Sequence, residues 1–553
     1  MPSDVPFLRS AMLHRLEHET FDLLVIGAGI TGVGVALDAA TRGLRTALVE
    51  RDDFASGTSS KSSKMVHGGL RYLQQGEIRL VYEALRERQR LRRNAPHLVK
   101  VLPFMIPILT KNGVVSRKVA RALGSAMWMY DVTGGWRIGK LHRRLRKDAA
   151  FAHLPTMPKD RLASAYLYYD ASVDDARLCL AVAQTAAKHG AAVANRCGVV
   201  ELSKGADGMV CGAVVEADGR RIAVRASAVV NATGVWADEV RALDEGSDPD
   251  SIRPAKGVHL TVPWEMIRND IAVIIPVPKD KRSLFVVPWG PLPDGTFQHT
   301  YVGTTDTDYQ GPLVDPQCTK DDIDYVLRAL NASVTTGITE ADITGVWAGL
   351  RPLVKTASPG RTADLSRHHK VDRSQTGVIT IAGGKLTTYR EMAADTVDEV
   401  LALLGRRARC RTKRLRLHGA EGYREAAAGT AAGHLANRFG GRAGEIEAMV
   451  TTDPSLGEPL VAGLPYLRAE AVYAARHEMA QSVDDVLTRR TRARLFDRHS
   501  AMAAAPQVAA LMAPELGWDP DETARQIRAF ESKCVAEITA GAIHEHVSLG
   551  LAP

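Results

Sequence analysis

Two stretches of this chain combine residue types and spacing that can do chemistry. The first is Gly27-Ala28-Gly29-Ile30-Thr31-Gly32, set between the apolar run Leu23-Leu24-Val25-Ile26 and an alanine-rich segment. In a strand–turn–helix setting Gly27 permits the sharp turn and Gly29 lets backbone approach a pyrophosphate. Gly32 lets helix and strand pack closely, and the start of the helix offers N–H groups to phosphate. Glu50 ends the next apolar run, where a carboxylate accepts an adenosine ribose 2′-OH and disfavours a 2′-phosphate. The second stretch is GTSSKSSKMVHGGLRYL, residues 57–73. Its Thr58, Ser59, Ser62, Ser63 and Lys64 offer the closely spaced donors that a pyrophosphate and a polyhydroxylated ribityl chain require. Met65, Val66, Leu70 and Leu73 run through it at core-like spacing, which argues against a flexible Ser/Gly linker.

The hydrophobic pattern supplies the elements that must hold these groups. The two apolar runs around the glycines read as buried strands, and the segment between them as a helix. A helix is expected over residues 174–189, stopped by Gly190, with an alternating strand near 192–197. AVVNATG, residues 228–234, reads as a buried strand ending in a small-residue turn. From 254 to 308, β-rich runs such as GVHLTV, SLFVVPW and YVGTTD alternate with turns. A further helix is expected over 389–404. Beyond about 417, apolar residues at helical spacing in 470–479 and 481–495, with proline breaks around them, predict a helical C-terminal domain.

A chain of 553 residues is long enough for two or three domains, and its 45% hydrophobic and 24% charged composition is that of a soluble globular protein. The six cysteines are scattered without zinc-like or redox-like spacing, so a reduced, intracellular chain is expected. The first twenty residues are mixed and charged, unlike a secretory signal. The apolar run 98–109 is about half the length a bilayer requires and contains Lys100, Pro103 and Pro107. The net charge of +8 is concentrated in 86–93, 137–147 and 406–416. None of these runs is interleaved with the aromatics a single-strand binder uses for stacking, so nucleic acid is not an expected partner.

Residues 117–130, RKVARALGSAMWMY, place Val119, Leu123, Met127 and Tyr130 at helical spacing, with Trp128 alongside and basic residues at the start. Such a helix either lies in the headgroup region of an anionic bilayer or packs on the protein's own core with a solvated basic face. Asp306-Thr-Asp308 opens like a calcium loop, but the twelfth position is Gln317 where a bidentate glutamate is needed. His544-Glu-His546 lacks the i, i+4 spacing of a metalloprotease motif. No metal ligands are therefore assigned. Arg489, Arg490 and Arg492 read as internal ion pairs or as a solvated face.

The run IGAGITGVGVALDAATRG, the segment GTSSKSSKMVHGGLRYL and GGKLTTYREMA (383–393) together resemble the FAD-dependent glycerol-3-phosphate dehydrogenases from about residue 20 to the end. Ala28 stands where many members carry a further glycine, a change the wider flavoprotein class tolerates. The resemblance implies an α/β fold, a Rossmann-type FAD-binding domain with a β-rich substrate domain and a C-terminal helical domain. Its implied layout is an extension over 1–20, an oxidoreductase domain over 21–400 and a helical cap over 401–553. FAD-binding segments would be 21–95, 171–240 and 345–400, with 94–170 containing an insertion. It assigns Ala232, Thr233 and Gly234 to the adenine side of the cofactor and Thr387 to the pyrimidine end of the flavin. Ile30, Thr31, Met65, His67, Val199, Gly384, Lys385 and Leu386 complete the implied FAD contacts.

The family's substrate is a small phosphate-bearing secondary alcohol, glycerol 3-phosphate. Its phosphate calls for Arg and Lys, a planar guanidinium above all. Arg71 in HGGLRY, Arg351 in AGLRPL and Lys385 in GGKLTTY are each flanked by glycine-containing turns, and the resemblance places all three at the active site. Tyr72 adds a hydroxyl contact. His259 in KGVHLTV is the first choice of base, because histidine titrates near neutrality and the resemblance puts it on the substrate side of the flavin. Alternatively Arg351 stabilises the developing alkoxide while water takes the proton. Only one dinucleotide fingerprint is convincing, so the electron acceptor is expected to be a membrane quinone, or dioxygen if the chain is an oxidase. The implied setting is a cytoplasmic homodimer, peripheral on the inner face of the cytoplasmic membrane. A basic FAD protein that modifies tRNA would not need the LRY and GGKLTTYR motifs. An amine or amino-acid oxidase of the same fold would want a carboxylate-binding arginine without this extra provision for phosphate.

Overall fold

The computed structural model describes residues 7–70, 77–110, 117–280, 282–355 and 369–543, with the side chains of 117–122 left aside. At its centre is a six-stranded sheet made of β1 (Leu23–Ile26), β2 (Thr46–Val49), β3 (Ala192–Ala194), β4 (Val229–Asn231), β5 (His369–Arg373) and β6 (Ile379–Gly383). The strand order is β5-β6-β4-β1-β2-β3. Every pairing is parallel except that of β5 with β6. β1 and β2 are buried at every position, which is why both read as unbroken apolar runs and not as alternating ones. The helices Ile30–Thr41, Asp175–Lys188 and Tyr389–Leu403 pack together beside this sheet. Asp174 caps the second of them by accepting from the Arg177 N–H at 3.1 Å. The strand expected over 192–197 stops at Ala194, because Arg196 takes a left-handed conformation that turns the chain into a separate four-stranded sheet.

A second, ten-stranded mixed sheet carries the β-rich half. Its long strand Ile252–Pro263 pairs antiparallel with Phe297–Gly303 on one side and Gly345–Val354 on the other. The apolar run near residues 98–109 is one of its strands, Val99–Leu109, hydrogen-bonded along its length to Leu162–Val173. Residues 94–170, expected to contain an insertion, thus contribute strands to this sheet. Asp306 and Asp308, the start of the calcium-like loop, are paired with Arg351 and Arg253.

The C-terminal part is helical, as expected, with its own core around Val486, Leu487, Phe496, Val508, Met512 and Phe530. Arg489, Arg490 and Arg492 are buried ion-pairing groups and not a solvated face. Arg489 and Arg490 reach Asp53 at 2.6 and 2.7 Å, and Arg492 reaches Asp174 at 2.9 Å. At the other end, the helix Arg9–His18 buries Met12, Leu13 and Leu16 in the core of the six-stranded sheet.

The helix Arg117–Thr133 decides between the two readings of its apolar stripe. Met127 and Tyr130 point into the core, Tyr130 sharing hydrogen bonds with Asp170 at 2.7 and 2.8 Å. Leu123, Met127 and Tyr130 of the apolar stripe therefore form its packed face. The adjacent row is the exposed one: Trp128 is 61% and Val132 75% accessible, with Met129 beside them. Trp136 and Leu141 downstream and Tyr82 on the neighbouring helix are exposed as well, and the Arg137 guanidinium lies over both Tyr82 and Trp136. Among the described residues no helix is long and apolar enough to cross a membrane.

Candidate active site

A cleft of about 360 Å³ opens at the carboxyl ends of β1, β2, β4 and β6, where the open α/β sheet leaves a crevice. Ile26, Gly27, Glu50, Ala232, Thr233 and Gly383, at or just beyond the ends of these strands, all line it. Gly27 has φ 98, and a Cβ there would lie 3.0 Å from the Ala232 carbonyl, so this turn admits glycine alone without strain. Gly32 does not face the cleft. Its hydrogen sits against the Gly27 carbonyl, where a Cβ would come within 1.8 Å. That is the packing role its spacing predicted. Gly29, Ile30 and Thr31 do line the cleft. Ser59 Oγ accepts from the Ile30 N–H at 2.8 Å, holding the hydroxyl-rich loop against the first turn of the helix.

Glu50 accepts from the N–H groups of Ala28 at 2.7 Å and Asp52 at 2.9 Å. Burial pushes its pKa up to about 7, against the pull of those two donors. Thr58, Ser59, Ser62, Ser63, Met65, His67 and Val199 line the same cleft, as do Gly234, Gly384, Lys385, Leu386 and Thr387. Thr387 Oγ1 bonds the His67 backbone N–H at 3.2 Å, tying the GGKLTTY turn to the hydroxyl-rich loop. Lys64 stands apart from these lining residues. Its side chain is buried behind the loop, 3.5 Å from Asp175 Oδ1 and 4.4 Å above the Trp347 ring, so it supports the cleft wall without lining it. Arg71 and Tyr72 lie outside the described residues.

The ten-stranded sheet supplies the opposite wall. Strand alternation puts Gly257 and His259 on the same face of one strand, and Trp347, Gly349 and Arg351 on the same face of its neighbour, with His259 paired to Trp347. Gly257, His259, Gly349 and Arg351 line the cleft. The glycines are needed: a Cβ at 257 would sit 2.7 Å from Arg351 Nη2, and one at 349 would sit 2.7 Å from the Lys61 carbonyl. Arg351 donates to Asp306 Oδ1 at 3.1 Å, which fixes the plane of its guanidinium. His259 is 3% exposed and stacks on Trp347 at 4.7 Å with rings 9° apart. Burial, with the positive charges of Lys64 and Arg351, holds its pKa well below the usual value, so the ring is neutral at physiological pH.

Comparison with known proteins places this geometry. Residues 22–390 match the family model described as FAD dependent oxidoreductase, and residues 410–523 match the C-terminal domain of alpha-glycerophosphate oxidase. The chain is 42% identical over 558 residues to glycerol-3-phosphate dehydrogenase 2 of Mycobacterium tuberculosis, covering 98% of this chain and 93% of that one. It is 37% identical to the human mitochondrial glycerol-3-phosphate dehydrogenase, over 95% of this chain and 76% of that one. The structure of glycerol-3-phosphate dehydrogenase from Bacillus halodurans complexed with FAD superposes with a TM-score of 0.76 at 29% identity, covering 98% of this chain and 99% of that one. The chain belongs to the FAD-dependent glycerol-3-phosphate dehydrogenase family.

The cleft fits the cofactor of these dehydrogenases. Bare glycine backbone stands at the crossing of β1 and β4, and the Glu50 carboxylate ends β2. Hydroxyl residues Thr58, Ser59, Ser62 and Ser63 line the same cleft and carry the donor and acceptor groups a pyrophosphate and ribityl chain would need. Several lining residues escaped the sequence reading. Trp236 lies over the cleft with Arg51 above its ring, 5.1 Å away, and nothing in VWADEV marks it. Gly257 and Gly349 were legible in principle, each standing two residues along a strand from a polar residue of the cleft wall.

Proposed function

We propose that this chain oxidises glycerol 3-phosphate to dihydroxyacetone phosphate and passes the electrons to a membrane quinone. The observation that carries this reading is convergence: His259 and Arg351 on one sheet and Lys385 on the other face the cleft that fits FAD. Arg351 and Lys385 supply the positive charge a phosphate dianion needs, with Arg71 and Tyr72 added on sequence grounds. Bound FAD supplies the two-electron acceptor for the C2 hydride. The remaining work falls to side chains. His259, neutral and buried, takes the C2 hydroxyl proton, while the Arg351 guanidinium stabilises the charge that develops on that oxygen. The low basicity of the ring keeps it in the accepting form across physiological pH.

The exposed apolar face of the helix Arg117–Thr133 supports a quinone reached from an anionic membrane surface, because Trp and Met side chains at such a face partition into the headgroup region. An oxygen-reducing oxidase is the second reading, favoured by the match of residues 410–523 to a domain named for one. Anaerobic addition of glycerol 3-phosphate should bleach the flavin, and a quinone analogue should restore its colour rapidly while air does so slowly. Absence of bleaching overturns the substrate assignment, and fast recovery in air moves the reading to the oxidase.

A further inference from the structure

We propose that Arg492, contributed by the C-terminal helical domain, is a positioning residue for His259, acting through Asp175 and the Ser60–Lys64 loop. The proposal rests on the reading of His259 as the proton acceptor. Arg492 is 1% exposed and sits in a left-handed conformation, φ 73, at the start of the helix Ala493–Phe496. Its Nε and Nη2 donate to Asp174 Oδ1 at 3.1 and 2.9 Å, Nη2 also reaches Asp175 Oδ1, and Nη1 donates to the Ser60 carbonyl at 3.3 Å. Asp175 spends its other oxygen on the loop, accepting from the Ser62 N–H at 3.0 Å and from Ser62 Oγ at 2.6 Å. One guanidinium from the C-terminal domain therefore fixes both the loop backbone and the carboxylate that anchors it.

The next residue of that loop meets the imidazole. Ser63 Oγ and His259 Nε2 share a hydrogen bond of 2.9 Å, while Nδ1 has no hydrogen-bond partner among the described residues. The loop is held on the other side by Tyr301 O–H and Trp347 Nε1, which donate to the carbonyls of Ser63 at 3.0 Å and Ser62 at 3.2 Å. The ring lies against bare Gly303 backbone, which makes room for it, since a Cβ there would lie 2.3 Å from His259 Cδ2. The Ser63 bond therefore decides which ring nitrogen is engaged and which is presented, and that bond is only as fixed as Ser62.

Electrostatics follow the same path. The cations facing His259 are Lys64 and Arg351. Asp175 offsets Lys64 and Asp306 offsets Arg351, and the neighbouring Tyr301 phenol, its pKa raised by burial, is neutral. Arg492 draws on the charge of Asp175. Without Arg492, Asp175 would offset Lys64 more fully, and imidazolium would form more readily.

The test compares FAD-loaded Arg492→Met, Arg492→Lys, Ser63→Ala and His259→Gln with wild type. Arg492→Met and Ser63→Ala should each lose about 10- to 100-fold in kcat, the range of a broken supporting contact. KM for glycerol 3-phosphate should change little, and Arg492→Lys should recover part of the loss. The acid limb of kcat/KM should move to higher pH in Arg492→Met. An independent readout is Trp347 fluorescence, which a stacked imidazolium quenches. Its acid transition, absent in His259→Gln, should move by the same amount. Wild-type kcat with an unmoved limb in Arg492→Met overturns the proposal. If that variant does not fold, wild-type kcat in Ser63→Ala overturns it. Wild-type kcat in His259→Gln would instead sink the base assignment, whatever Arg492 does.

Discussion

Replacing Asp53 by Asn tests whether a buried charge clamps the C-terminal domain onto the dinucleotide-binding unit. Asp53 is fully buried just beyond β2 and accepts from Arg489 Nε at 2.6 Å, from Arg490 Nη1 and Nη2 at 2.7 and 2.9 Å, and from Asn195 Nδ2 at 3.1 Å. Its guanidinium partners hold the carboxyl well below the usual carboxylate range. Charge-assisted bonds of this kind are worth about 1.5–3 kcal/mol each, but Asn keeps one acceptor oxygen, so a full sum overstates the loss. Asp484 and Asp485 also remain beside Arg489. Leaving two buried guanidiniums short of charge places the expected cost at about 3–5 kcal/mol, or two to three and a half decades in the opening equilibrium. Urea unfolding should show a lower midpoint at unchanged slope, accompanied by easier loss of FAD, because neighbouring Asp52 and Ser56 line the cleft. Asp53→Asn combined with Arg490→Met should cost less than the two changes summed, since the second removes a charge the first strands. A change under about 1 kcal/mol in Asp53→Asn would refute the clamp.

Two further outcomes are expected. His97, packed against Gly419 and Gly440 of the C-terminal segment, and His418 have pKa values pushed down by burial to about 3 and about 4. Both are neutral in the folded protein, so stability is complete above about pH 6.5 and falls as the unfolded chain takes up protons below it. The loss is about 2 kcal/mol at pH 5 for each, and urea midpoints from pH 5 to 8 should slope less steeply in His97→Gln; an identical slope would refute the assignment. For the exposed helix face, Trp128→Ser with Val132→Ser should reduce co-sedimentation with anionic liposomes at low salt by about tenfold or more, at about 1.4 kcal/mol per decade and with about 1.5–3 kcal/mol for each buried side chain. Undiminished binding would remove that face as the contact.

What could be read from the sequence was what is written locally. The glycine turn, Glu50 and the Thr58–Ser63 hydroxyls each carry their signal in near neighbours, and the structure sets them along one cleft. The strand His259 occupies and the glycine turn before Lys385 were legible in the same way, whereas Arg351, expected beside a glycine-containing turn, lies within the strand Gly345–Val354; the assignment of those three to an active site came from resemblance. The helix 117–133 shows the limit of periodicity. A 3.6-residue repeat identifies an amphipathic helix, but Met127 and Tyr130 lie one row away from Trp128, Met129 and Val132, all of them apolar. Only the tertiary partners Leu85, Tyr168 and Asp170 decide which row is core.

The contacts that were not legible share one property: both partners are charged and far apart in the chain. Asp53 and Arg490 are 437 residues apart, and Asp175 and Arg492 are 317 apart. Each residue taken alone obeys a local rule that hides its partner. Asp174 and Asp175 look like an ordinary helix start, and Arg489, Arg490 and Arg492 read either as internal ion pairs or as a solvated face, with no partner legible. Burial reverses their meaning, because a charge without water must find an opposite charge wherever the fold provides one. The π-helical turn Asp485–Arg490 and the left-handed Arg492 that follows aim these arginines inward, and no hydrophobic pattern encodes that turn. Arg492 among them reaches the Ser60 carbonyl and the Asp175 carboxylate that anchors Ser62, so a part of the C-terminal domain that no hydrophobic pattern encodes supports the loop that meets the imidazole on which the proposed chemistry depends.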